Sequence, residues 1–195
     1  RRTLQMGRRK SASIPIVSLV GYTNAGKSTL LNSLTGAGVA AEDRLFSTLD
    51  PVTRKIRLRS GRELLLTDTV GFIHKLPATV VAAFRATLEE IEESTMILHV
   101  VDVAHPNAGA QADVVEGVLA GLGLSDTPRI LVLNKSDLVV SGENDRWGHD
   151  LGAAADNRPK AVFTSALTGE GLGELQDEID ALLSQVGSTQ QVAAV

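Results

Sequence analysis

Six short runs rich in Val, Ile and Leu, separated by segments of helical period, constrain the fold of this chain more than any other feature. They are IPIVSLV (14–20), KIRLRS (55–60), ELLLTD (63–68), MILHVVDV (96–103), RILVLN (129–134) and AVFTSA (161–166). Nearly continuous apolar strands joined by amphipathic helices suit a sheet buried on both faces. The chain therefore reads as an α/β fold with a mostly parallel central sheet of about six strands and helices on both faces. KIRLRS differs: it alternates apolar and basic residues and runs into SGRE, which marks an edge strand in a hairpin with ELLLTD.

The helices follow from spacing. Val81, Phe84, Leu88 and Ile91 fall at intervals of 3, 4 and 3 with Glu89, Glu90, Glu92 and Glu93 opposite, and Leu172, Leu175, Ile179 and Leu182 repeat the pattern. A helix from about Gly26, another through Val114, Val118 and Leu122, and a weaker one over 143–153 complete the set. Segments 36–53 and 70–79 show neither period and read as loops, and loops of that length are usually functional or disordered. The 195 residues suffice for one α/β domain, expected over 14–185, and VGSTQQVAAV reads as a disordered tail over 186–195.

The absence of cysteine excludes a disulfide framework, a zinc–thiolate site and a thiol nucleophile, and suits a reducing cytoplasmic setting. No apolar run approaches the roughly 20 residues of a membrane span. Residues 1–13 hold five of the 19 basic residues and no acid, leaving 14 basic against 23 acidic residues in the remainder. Two readings of this basic arm stand: a local contact with phosphate-rich material, or a solvated linker kept extended by its charges. The chain begins at Arg1 rather than Met, so it is expected to be a piece of a longer protein.

The chemistry sits where strands end. GYTNAGKS (21–28) fits GxxxxGKS and lies between a buried strand and a helix, which is where the mechanism needs it. Gly21 and Gly26 let the backbone wrap phosphate oxygens with successive N–H groups, and the helix N-terminus adds its positive end. Lys27 reaches the β- and γ-phosphates and the Ser28 hydroxyl is placed for Mg²⁺. The expected nucleotide contacts are Gly21, Tyr22, Thr23, Asn24, Ala25, Gly26, Lys27, Ser28 and Thr29. DTVGF (68–72) follows ELLLTD; Asp68 can hold Mg²⁺ through water, and Gly71 can offer its N–H to the γ-phosphate, with Thr69 and Val70 between them. NKSD (134–137) follows RILVLN and selects the base. Asp137 accepts from guanine N1–H and the 2-amino group, a donor pair that adenine lacks. Asn134 ties this loop to the phosphate loop, the Lys135 stem lies against the base with Ser136 beside it, and Ser165, Ala166 and Leu167 bring a backbone amide to guanine O6. The ordered set points to a P-loop NTPase of the guanine-nucleotide (G domain) kind, acting on GTP to give GDP.

At this resolution of motif the match narrows. VGYTNAGKSTLLNSLTG, LFSTLDPVTRKI, LLTDTVGFIHKLPATVVAAFRATLEEI and LHVVD together closely resemble the GTPase domain of the HflX family, itself similar to the Obg group, over about Ile14 to Leu183. The resemblance implies that Phe46, Ser47, Thr48, Leu49 and Asp50 form switch I, with Thr48 closing on Mg²⁺ and the γ-phosphate. The residues alone say only that a hydroxyl in this loop is a plausible ligand, and Thr53 competes for the role. Lys27, Thr48 and Gly71 are then the catalytic group. It also implies that residues 1–13 are the linker from an N-terminal domain absent here. The implied partner is the large ribosomal subunit, in rescue or splitting of stalled ribosomes, with a monomer and no DNA expected.

Alternatives remain at two residues. Phe72 stands where Ras-like GTPases carry a water-orienting glutamine, so hydrolysis is slow until a partner or ion helps, or Phe72 is a core residue that swings away. Asn24 binds potassium beside the phosphates in related GTPases, or is a turn former. Two rival functions follow: a guanine-nucleotide sensor without hydrolysis, and an Obg- or tRNA-modification-type GTPase. His74, His99, His105 and His149 lack ligand spacing and are assigned to no metal.

Overall fold

The computed structural model describes residues 14–36, 52–69, 71, 91–139 and 159–192. In chain order these form β1 (Ile16–Gly21), α1 (Lys27–Thr35), β2 (Val52–Arg57), β3 (Glu63–Asp68), β4 (Met96–Asp102), α2 (Ala108–Gly121), β5 (Arg129–Asn134), a 3-10 turn (Ser136–Leu138), β6 (Lys160–Thr164) and α3 (Leu172–Val192). The strands make one sheet in the order β2-β3-β1-β4-β5-β6. All neighbours run parallel except the β2–β3 hairpin. The α/β architecture expected from the apolar runs is therefore present, with KIRLRS contributing to the antiparallel edge.

Side-chain alternation explains why both faces are covered. On β1, Val17 and Leu19 enter a core formed with Leu64, Leu66, Leu98, Val100, Ile130 and Val132, roofed by Leu30 and Leu31 of α1 and by Leu175, Ile179 and Leu183 of α3. Val20 and Ile97 face the other way, onto Val115 and Leu119 of α2 and onto Ile91. Because β1, β3, β4, β5 and β6 are parallel, their C-terminal ends share one edge of the sheet. Register places Leu19 beside Asp68, Gly21 beside Val100, and Asn134 beside both Asp102 and Thr164. Open parallel sheets bind ligands beyond this edge.

Beyond shifts of one or two residues at the ends of β1, β4 and β6, three features depart from the sequence reading. The edge strand begins at Val52 and ends at Arg57, not 55–60, because Val52 and Thr53 pair with Asp68 and Thr67 while 58–62 form the turn. The buried stripe of α2 is Val115 and Leu119 rather than Val114, with Val118 and Leu122 at its margin. The expected tail does not hold for 186–192: α3 continues to Val192, since that stretch contains no proline to break the hydrogen-bond ladder. The helices expected around 81–91 and 143–153 lie outside the described residues apart from Ile91 and Glu92, which are helical.

The hairpin tip is fastened to α3. The Arg59 N–H donates to Gln176 Oε1 at 3.1 Å, and Arg62 donates to Ser184 Oγ at 2.8 Å and pairs with Asp180 at 2.6 Å. Buried Leu58 lies beneath these polar contacts in the core shared with α3. Among the described residues no helix is long and apolar enough to cross a membrane.

Candidate nucleotide site

The phosphate loop leaves β1 at Gly21 and enters α1 at Lys27. Two of its residues are left-handed, Asn24 at φ 62° and Gly26 at φ 94°. Gly26 is required for a second reason: a Cβ there would lie 2.3 Å from Asn134 Nδ2. Ala25 is buried and its N–H donates to the Tyr22 carbonyl at 3.2 Å, while the Gly26 carbonyl accepts from Leu30 N–H at 2.8 Å. Thr29 lies in the first turn of α1, and its carbonyl accepts from Ser33 Oγ.

Lys27 is 6% exposed, which is unusual for a lysine, and its Nζ donates to the carbonyls of Gly21 and Tyr22 at 3.3 and 3.2 Å. The ammonium is thereby drawn back onto the start of the loop. Burial pushes its pKa down to about 8, with the Asp68 carboxylate acting in the opposite sense. Ser28 Oγ donates to Asp68 Oδ2 at 2.5 Å, so hydroxyl and carboxylate from separate motifs meet at one point. A hard-oxygen pair at a sheet edge is the donor chemistry that Mg²⁺ prefers, and these two residues could hold it. Thr69, fully buried, donates its hydroxyl to the Leu19 carbonyl at 2.5 Å and fixes the exit of β3. Gly71 then passes so close to the phosphate loop that a Cβ would lie 2.7 Å from Thr23 Cα and 3.1 Å from Lys27 Nζ.

Asn134 joins the remaining pieces. Its Nδ2 donates to the Ala25 carbonyl at 2.9 Å, and its Oδ1 accepts from Ala166 N–H at 3.0 Å and Thr164 Oγ1 at 3.3 Å. One buried side chain thus fixes the phosphate loop, the end of β6 and the 165–167 loop relative to one another. Ser165 closes that loop by accepting from Thr168 N–H, while its own N–H donates to the Glu170 carbonyl. Leu167 is 80% exposed beyond it. Ala166 N–H is engaged by Asn134, so an amide for guanine O6 requires either a shift of that bond or a neighbouring N–H. Lys135 is left-handed at φ 65° and leads into the 3-10 turn, where Ser136 is half-buried and Asp137 is exposed at the sheet edge.

Asn134→Ala removes all three contacts and leaves the Ala25 carbonyl and the Ala166 N–H without them. The expected result is a loss of about 2–4 kcal/mol in stability together with weaker nucleotide binding, read from thermal melting and from titration with GDP.

The structure brings together Gly21 to Thr29, Asp68, Thr69, Gly71, Asn134 to Asp137 and Ser165 to Leu167. Phe46, Ser47, Thr48, Leu49, Asp50, Val70 and Phe72 lie outside the described residues. Thr53, the rival of Thr48, is committed to the hairpin, with its hydroxyl 2.9 Å from that of Thr67. Sequence reasoning did not single out Asp102, whose Oδ2 accepts from Lys135 Nζ at 2.6 Å. The available signal was its place at the end of LHVVD, where a parallel strand puts it level with Asn134. His99 also has a defined place: its Nδ1 lies 2.9 Å from Glu116 Oε1, and this bond, aided by the His99 and Arg129 charges, holds the Glu116 carboxyl below its ordinary range.

Comparison with known proteins agrees with this geometry. Residues 16–135 match the family model described as 50S ribosome-binding GTPase. The GTPase HflX of Caldanaerobacter subterraneus subsp. tengcongensis is 55% identical over 159 residues, covering 80% of this chain and 36% of that protein. The GTPase HflX of Escherichia coli is 44% identical over 176 residues, covering 90% of this chain and 40% of that protein. The chain thus spans about two fifths of the length of these relatives. A GTP-binding protein from Sulfolobus solfataricus, crystallised in complex with GDP, superposes with a TM-score of 0.68 at 28% identity, covering 95% of this chain and 57% of that one. Aquifex aeolicus Era, bound to GDP and AlF4−, shares the fold at a TM-score of 0.66 and 23% identity, covering 89% of this chain and 57% of that one. A family match over more than half of the chain, on a sheet edge built as described, places this protein in the 50S ribosome-binding GTPase family, where its similarity is to the HflX GTPases.

Proposed function

We propose that this chain is a GTP-binding and GTP-hydrolysing switch domain that works with the ribosome, chiefly the large subunit, in rescue or splitting of stalled ribosomes. The observation that carries the nucleotide part is the Asn134 side chain, which locks the phosphate loop to the two loops beyond β5 and β6. A triphosphate at Lys27 and a purine at Asp137 then belong to one ligand. The ribosomal part draws on the name of the matched family and on the similarity to HflX proteins. Residues 1–13, with five basic residues and no acid, would in this reading supply charge toward RNA phosphates.

In this mechanism the amides of 22–28 cradle the phosphates, and Lys27 releases the Gly21 and Tyr22 carbonyls to reach them. Ser28 and Asp68 would hold Mg²⁺, joined by Thr48; when bound, that ion neutralises charge on the β- and γ-oxygens. Gly71 orients its N–H toward the γ-phosphate, an approach that only glycine permits beside Thr23. Water is the nucleophile. Asp137 reads the guanine edge, and the exposed Leu167 offers an apolar surface to the base.

Multiple-turnover phosphate release, measured with and without purified large subunits, tests the reading. Release stimulated by the subunits is expected, whereas none under any condition would leave a nucleotide sensor. Asn24 is exposed at the turn of the loop, where its side chain could share a monovalent cation with the phosphates. On that role, Asn24→Ala abolishes any excess of the rate in potassium over sodium; an excess that persists assigns Asn24 to the turn alone.

A further inference from the structure

We infer that Asp102 is a positioning residue for the nucleotide base, acting through Lys135; the inference rests on the guanine-nucleotide reading above. Asp102 ends β4 directly beside Asn134 in the parallel register. Its carboxylate is fixed at both oxygens: Oδ1 accepts from the Ala104 N–H at 3.0 Å and Oδ2 from Lys135 Nζ at 2.6 Å. The pair is well shielded, with side-chain exposures of 14% for Asp102 and 26% for Lys135. Shielding of this degree makes it worth more than a surface ion pair.

The geometry of Lys135 makes the anchor consequential. Its left-handed backbone, φ 65°, turns the side chain back across the site, and its Cε comes within 4.0 Å of the Cβ position on Gly26. The four methylenes are thus held between two fixed points, the 3-10 turn that carries Asp137 and the carboxylate of Asp102. A lysine stem free at its ammonium end would sample many rotamers and lose that freedom on meeting a base. Asp102 removes that loss before binding by presenting the stem as a standing wall. Its effect falls on how long the nucleotide stays, not on which purine edge is read, because the edge belongs to Asp137.

The test is the release rate of N-methylanthraniloyl-GDP from the 195-residue chain. Asp102→Asn should release it about tenfold faster, with the preference for GDP over inosine diphosphate unchanged. Asp102→Glu, which keeps the charge, should recover part of the loss. In a Lys135→Ala background, Asp102→Asn should have no further effect, because the partner through which it acts is gone. A packing role would instead accelerate release equally in both backgrounds and lower the melting temperature, and that outcome overturns the inference. So does a wild-type release rate in Asp102→Asn while the unaltered chain binds the probe. Failure of the unaltered chain to bind it would overturn the guanine reading and this inference with it.

Discussion

Lys27→Met is expected to lower GTP hydrolysis by about a thousandfold and to leave the melting temperature unchanged or higher. The first half follows from position: Lys27 is the buried cation at the mouth of α1, and a methionine of similar length cannot neutralise a transferring phosphoryl group. The second half follows from its pKa. Burial lowers it from 10.5 to about 8, so between those values the unfolded chain binds more protons than the folded one and stability rises with pH. Below pH 8 folding carries the full cost of a buried charge, and methionine removes that cost. Binding has the opposite sign. A phosphate beside the ammonium favours its charged form, so above about pH 8 nucleotide uptake requires a proton and affinity falls with rising pH, toward tenfold per unit. GDP titrations at pH 7, 8 and 8.7, in buffers of different ionisation enthalpy, should show this slope and proton uptake in the unaltered chain and neither in Lys27→Met. A pH-independent affinity in the unaltered chain would exclude Lys27 from the phosphate contact.

Asp137→Asn is the other large effect expected, and it changes the ligand rather than the rate. Asp137 stands exposed at the sheet edge in the 3-10 turn, with Asn134 holding that turn's root to the phosphate loop. On the proposed reading, a carboxylate there accepts from two guanine N–H groups. An amide offers one acceptor and a donor, so one guanine donor is left facing a donor once the base covers the pair. Sites built around such pairs reject the wrong partner by several orders of magnitude. Weakening of GDP by a factor of about 10²–10³ is expected, with xanthosine diphosphate gaining because its 2-oxo group accepts where guanine donates. Competition of the two diphosphates against a fluorescent analogue measures it. Unchanged base preference would mean that the purine is read elsewhere.

Much of the fold was legible because parallel strands carry their own boundaries. ELLLTD and RILVLN coincide with β3 and β5 residue for residue, since each ends in the polar group that serves the site. The hairpin edge was less legible. Val52 and Thr53 lack an apolar run, and their pairing with Asp68 and Thr67 is a property of the partner strand. The phase of α2 was displaced by one residue, because Val114, Val115 and Val118 fit either stripe until the sheet selects Val115. At the site, the motifs gave the groups proposed to touch phosphate or purine, whose types and spacing that chemistry would fix. They did not give the contacts between motifs. Ser28 with Asp68, Asn134 with Ala166, and Lys135 with Asp102 are separated by 40, 32 and 33 positions and are set by sheet register. The left-handed Asn24 and Lys135 were likewise hidden, since neither residue type demands that conformation.

The clasp between the β2–β3 tip and α3 bears on how force could travel through this domain. Arg59 and Arg62 bind the tip to Gln176, Ser184 and Asp180, and Leu58 seats it in the core. The opposite end of β2 begins at Val52, immediately after the segment assigned to switch I. Because β2 pairs with β3 along its whole length from Val52 to Arg57, a hairpin pinned at its tip makes this sheet edge and α3 one mechanical unit. On the proposed switch reading, a displacement of the segment before Val52 would be passed on to α3 rather than absorbed at the hairpin tip.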